Sequence, residues 1–143
     1  MRIRLVCVLL TIAMATAGCA ARTPRPEPVP LDRAECAFCR MLVSSERGAA
    51  QIVSADADTR FYDDVGCLAA DWRAHSTGAH AFVRATDGRW IDATDAVFAK
   101  PSGARTAMGS GIVAFASPDD ARDAGAAGIV TFDEVVRAAG AGR

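Results

Sequence analysis

The residues best suited to chemistry sit in one short stretch, Cys36-Ala37-Phe38-Cys39-Arg40-Met41, where three of six side chains carry sulfur. Residues 39–44 read as a strand. Side chains alternate along a strand, so Cys39 and Met41 are expected on one face. Thiolate and thioether are soft donors, suited to Cu(I). Another sulfur, Met108, lies in Thr106-Ala107-Met108-Gly109-Ser110-Gly111. A methionine in so polar and glycine-rich a loop is a poor core residue. Such a loop can fold over the strand and close a low-coordinate metal position. Cys39 is the first candidate for the thiolate ligand, followed by Met41 and Met108. Thioethers cannot be lost to disulfides, although peroxide converts them to sulfoxides.

The roles of the two remaining thiols stay open. Cys36 is either a further ligand or the disulfide partner of Cys39, and the second case would strip the metal site of its thiolate. Cys67 falls near the start of a predicted helix, off its apolar face, where the helix N-terminus favours thiolate. It is read as a ligand, a disulfide partner or a structural residue. His75 and His80 flank a turn and read as surface or helix-end residues. Asp63 and Asp64 read as helix caps. Phe61, Trp72, Trp90 and Phe115 read as core.

Cys-x-x-Cys also fits a disulfide, a redox dithiol or half a zinc site. Zinc needs a second ligand pair, and only Cys67, His75 and His80 are on offer. Covalent haem needs histidine directly after the second cysteine, and that position is Arg40. Thioredoxin-like chemistry expects the motif to open a helix after a strand. No phosphate loop, nucleophile elbow or histidine–carboxylate spacing is present, so no enzyme is expected. A thiol–disulfide redox module of the cell envelope is the alternative function. A structural lipoprotein stapled by its cysteines is the third.

The elements that must position these residues begin late in the chain. Arg2 and Arg4 precede a short apolar run, Leu5 to Ala15, and then Thr16-Ala17-Gly18-Cys19. The run is too short for a membrane span and reads as an export signal. The four residues resemble a bacterial lipobox, with threonine where leucine is usual. Residues 1–18 are therefore expected to be removed, and Cys19 to be acylated and anchored. Ala20 and Ala21 favour the outer membrane, with the domain facing the periplasm. Cys7 leaves with the signal. Residues 19–34 form the lipidated cysteine and a proline-rich tether, about 40 Å long over residues 20–34 if extended as polyproline II. Residues 35–143 form the metal-binding domain.

Of 143 residues, the mature chain keeps 125, enough for one compact domain. Loss of the two leader arginines leaves 14 basic against 17 acidic residues, a net of −3. That balance argues against nucleic acid as a partner.

Strands are predicted at 39–44, 50–54, 59–62, 81–85, 89–92, 96–99, 112–115 and 129–132. A helix is predicted from Val65 to about Ala74, with Val65, Leu68, Ala69 and Trp72 on its apolar face. Asp87-Gly88 suits a two-residue type I′ turn. Ser117-Pro118-Asp119-Asp120 opens a second helix, and residues 133–139 form a third. The class is α+β, mostly antiparallel. Strands followed by a helix occur twice, a hint of two similar small halves.

Cys36-x-x-Cys39-x-Met41 resembles the metal motif of the NosL family, the nitrous-oxide reductase accessory lipoproteins. The likeness continues through Gln51-Ile52-Val53, Phe61-Tyr62-Asp63-Asp64-Val65-Gly66-Cys67 and Trp90-Ile91-Asp92-Ala93. It runs on through Met108 to Phe115 and ends at Thr131-Phe132-Asp133-Glu134. Arg40 departs from the family's usual glycine. The resemblance implies a Cu(I)-binding periplasmic metallochaperone that delivers copper for maturation of nitrous-oxide reductase or a related copper enzyme. It implies as partners that apo-enzyme and its membrane assembly complex, and an α+β fold of two similar halves.

Overall fold

The computed structural model describes residues 23–56 and 58–141. The predicted signal, Cys7 and the lipidation site Cys19 lie outside the described residues.

In chain order the elements are β1 (Ala50–Ser54), β2 (Thr59–Tyr62), α1 (Val65–His75), β3 (Ala79–Arg84), β4 (Trp90–Asp92), β5 (Val97–Ala99), β6 (Val113–Phe115), α2 (Pro118–Asp123) and α3 (Phe132–Ala141). Four strands form an antiparallel sheet in the order β2-β1-β3-β4, and β5 pairs with β6 in a second, two-stranded sheet. The fold is α+β, as the sequence pattern requires. Among the described residues, no helix is long and apolar enough to cross a membrane.

Register explains which face is buried. Ala50 lies opposite Tyr62 and Val83, and Ile52 opposite Arg60 and Ala81. Alternation puts these on one face. There Ala50, Ile52, Tyr62, Ala81 and Val83 share a core with Val65, Leu68 and Ala69 of α1 and Phe132, Val135 and Val136 of α3. Phe132 ties the layers together, with its ring 5.6 Å from Trp72 and 5.8 Å from Phe98. Phe115 is buried in a smaller cluster with Ala99 and Ala121, while Phe61, Trp72 and Trp90 are only partly buried.

Four expectations change. Residues 39–44 are not a strand: one bridge, Glu35 to Leu42, is all that forms there. The Asp87-Gly88 turn is not type I′, because Gly88 has φ 84° but Asp87 does not adopt positive φ. Ala85 N–H bonds to Arg89 O at 2.9 Å, leaving a three-residue loop with glycine in the left-handed position. Residues 129–132 make only a bridge from Val130 to Phe98. Thr131 and Glu134 explain why: the Glu134 carboxylate accepts from Thr131 N–H at 2.8 Å, a capping-box bond that starts α3 at Phe132.

The proline-rich segment is the fourth. Gln51, fully buried in the central strand, accepts from Glu27 N–H at 2.8 Å and donates to Glu27 O at 3.0 Å. Val29 joins the main core. Read as tether through residue 34, the segment belongs to the fold from Glu27 onward.

Candidate metal centre

The site forms where β2 ends and α1 begins. Tyr62 is the last strand residue, and Asp64 caps the helix, its side chain accepting from Gly66 N–H at 2.6 Å. Asp63 lies between strand and cap and is 5% exposed. Cys67 is on the first turn of α1. It is buried rather than turned outward, and the helix thus delivers a thiol into the interior.

The Cys-x-x-Cys segment reaches the same place from the other side. Ala37 N–H bonds to Phe61 O at 2.8 Å, fastening the segment to the end of β2. Cys36 N–H bonds to Met41 O at 2.7 Å, and Arg40 N–H to Cys36 O at 2.9 Å. The motif therefore closes on itself as a turn, with Arg40 at φ 67°. Strand alternation does not apply, and Cys39 and Met41 do not share a strand face. The left-handed backbone at Arg40 is one that favours glycine.

The result is a cluster of four donors. The sulfurs of Cys36, Cys39 and Cys67 and a carboxylate oxygen of Asp63 all lie within 4.8 Å of one another. All three cysteines are free thiols. Cys36 is fully buried, Cys67 is buried, and Cys39 is the half-buried member. The Cys39 thiol lies 3.7 Å from Asp63 Oδ1. Asp63, read from sequence as a cap, is thus the residue that sequence reasoning missed.

The four groups titrate as a linked set. A hydrogen bond from Cys67 pulls the Cys36 thiol down to about 4, against the opposing effect of burial. The same bond, then burial, pushes Cys67 up. Burial pushes Cys39 up, partly offset by the backbone at Met41. Burial and then contact with Cys36 push Asp63 up to about 6. Cys36 is drawn toward thiolate while Cys39, Cys67 and Asp63 are held toward their neutral forms around it, and a metal that replaces those protons relieves the crowding. Three sulfurs and one oxygen form a donor set for a soft ion.

The two methionines take different positions. Met41 is 56% exposed and Met108 is 43% exposed. Met41 is joined to the cluster through its carbonyl on Cys36. Met108 arrives by the glycine-rich loop, its N–H bonded to Asp64 Oδ2 at 3.0 Å. The Met108 loop therefore sits against the helix start that carries Asp63 and Cys67. The histidines lie elsewhere: His75 pairs with Asp71 and His80 with Asp92, each at 3.3 Å. Neither belongs to the donor cluster.

The sequence model of the NosL family matches residues 28–139. No curated protein matches the chain. Among solved structures, the chain is similar to the crystal structure of the copper chaperone NosL from Shewanella denitrificans. The TM-score is 0.67 at 19% identity, over 79% of this chain and 96% of that one. At that identity the likeness is one of fold.

Proposed function

The chain belongs to the NosL family, and from that premise we propose that it is a metallochaperone that binds Cu(I) and hands it to a copper enzyme. The observation that carries the reading is the convergence of Cys36, Cys39, Cys67 and Asp63 within 4.8 Å. The structural relative, itself a copper chaperone, supports it. Cu(I) is the cargo because thiolate and thioether donors select soft ions.

Cys39 is the central ligand, since it alone of the three thiols is both in the cluster and partly open to solvent. Met41 and Met108 supply exposed thioethers, and Cys36 and Cys67 back the site from inside. Exposed ligands suit a carrier. An acceptor can replace one sulfur at a time, so copper is never released as a free ion. Phe38, Leu42, Met41 and Met108 are among the large apolar side chains exposed on the molecule, and they give an acceptor an apolar surface to meet. The role is carrying, not catalysis.

The recipient is nitrous-oxide reductase or a related copper enzyme, reached with its membrane assembly complex. The domain works in the cell envelope facing the periplasm, held by lipid on Cys19, on the outer membrane by preference. The test is transfer. Copper-loaded protein is mixed anaerobically with metal-free nitrous-oxide reductase, and copper content and activity of the separated enzyme are measured. Movement of copper and appearance of activity are expected. Copper that stays on the chaperone refutes this recipient.

A second reading, a thiol–disulfide module, is favoured by one observation: three free thiols within 4.8 Å. It predicts a reversible disulfide with a catalytic reduction potential and no copper binding, which thiol counting with metal analysis separates from the first.

A further inference from the structure

Asp64 does more than cap a helix. Its carboxylate is fully buried and collects bonds from two separate elements. Oδ1 accepts from Gly66 N–H at 2.6 Å, the cap itself, and from the Ser110 hydroxyl at 2.5 Å. Oδ2 accepts from the backbone N–H of Met108 at 3.0 Å. Bonds to a buried, ionised carboxylate are among the strong ones.

The loop is otherwise self-contained. Gly109 N–H bonds to Thr106 O, and Gly111 N–H to the Thr106 hydroxyl, each at 3.0 Å. Among the described residues, the bonds that tie this turn to the rest of the domain end on Asp64. Gly109 and Gly111 have φ 71° and 68°, and beyond their chain neighbours no atom lies within 4 Å of where their Cβ would stand. The loop also borders a cavity of about 560 Å³ lined by Ser110, Ile112, Ala127, Val130, Val135 and Ala139. Packing therefore adds little on that side. At the latch itself contact is tight: a Cβ on Gly66 would stand 2.8 Å from Ser110 Cβ.

We propose that Asp64 is a positioning residue that latches the Met108 loop onto the helix start beside the thiol cluster, so that Met108 is held as a ligand only while the latch is closed. The metal part of this proposal rests on the copper reading above. The latch itself is a property of the metal-free chain.

The discriminating variant is Asp64→Ser. Serine is a good N-cap, so the helix start survives, but its short side chain cannot also reach Met108 and Ser110. In the metal-free full chain, amide exchange at Met108 should accelerate at least about tenfold, the loss of roughly one hydrogen bond's worth of protection. Ser117→Ala, at the cap of α2, controls for general destabilisation and should leave Met108 exchange unchanged. Unchanged Met108 exchange in Asp64→Ser overturns the latch, whatever the protein binds.

With Cu(I), Asp64→Ser and Met108→Leu should each weaken affinity about tenfold, a change of about 1.4 kcal/mol. The double variant should be no weaker than about twofold beyond either, because one interaction is removed twice. X-ray absorption should find one sulfur neighbour fewer in both single variants. Losses that multiply in the double variant, or a full sulfur count in Asp64→Ser, overturn the positioning role. Wild-type protein that binds no Cu(I) refutes the copper reading, and the exchange experiment then decides the latch alone.

Discussion

Asp63 shows at the level of one residue how a site strains the fold that holds it. Its carboxyl is raised from an ordinary 3.8 to about 6 by burial and by Cys36. A raised carboxyl binds its proton more tightly folded than unfolded. Its contribution to stability is therefore full below about pH 3.8 and is lost as pH rises through about 6. Asp63→Asn should stabilise the metal-free domain at pH 7, by up to about 3 kcal/mol, and flatten that stretch of the pH–stability curve while weakening metal binding. Urea denaturation at pH 4 and pH 7 checks it, and a variant less stable than wild type at pH 7 contradicts it. Sequence pointed to the sulfur residues by type alone. Asp63 was hidden because two adjacent aspartates before a helix both look like caps. Only the geometry shows that Asp64 takes the cap and Asp63 turns to the thiols.

Elements were legible where local rules agreed with packing. The helix at Val65 and its apolar face, the Ser117-Pro118 start, and strands β1 and β2 follow from period and capping chemistry. The reading of residues 39–44 as a strand failed because Cys36 uses both its N–H and its C=O within the motif, a closure that apolar patterning does not reveal. Residues 129–132 failed because Thr131 and Glu134 form a capping box that outweighs the β-branched run before it. The turn at Arg40 carries a prediction. Its φ of 67° costs a non-glycine residue about 1–2 kcal/mol. Glycine costs about 0.5–1 kcal/mol of chain entropy in return. The lost ion pair to Glu35 is exposed and worth little. Arg40→Gly should therefore raise stability by about 0.5–1 kcal/mol, seen as a thermal midpoint a few degrees higher. A lower midpoint would show that Arg40 does something the turn does not.

At the scale of the molecule, the site is a meeting of distant segments. The Cys-x-x-Cys turn, the strand-to-helix junction and the Met108 loop are far apart in sequence, the first two joined by the Ala37–Phe61 backbone bond and the loop held by the Asp64 carboxylate, so no local pattern could have assembled them. The proline-rich entry is part of this assembly rather than a free tether, since Glu27 and Val29 are built into the domain. A chain starting at Pro30 loses a buried valine and leaves the Gln51 amide without its partner. It should be less stable than one starting at Thr23 by about 2–5 kcal/mol, measured by chemical denaturation. Equal midpoints would return the segment to the status of a tether. Whether these segments together make one Cu(I) site is decided by an anaerobic competition titration of the reduced protein against a Cu(I) chelator. One Cu(I) per chain is expected, held tightly by wild type and lost to the chelator when Cys39, Met41 and Met108 are replaced together. Unaltered affinity in that triple variant would contradict it.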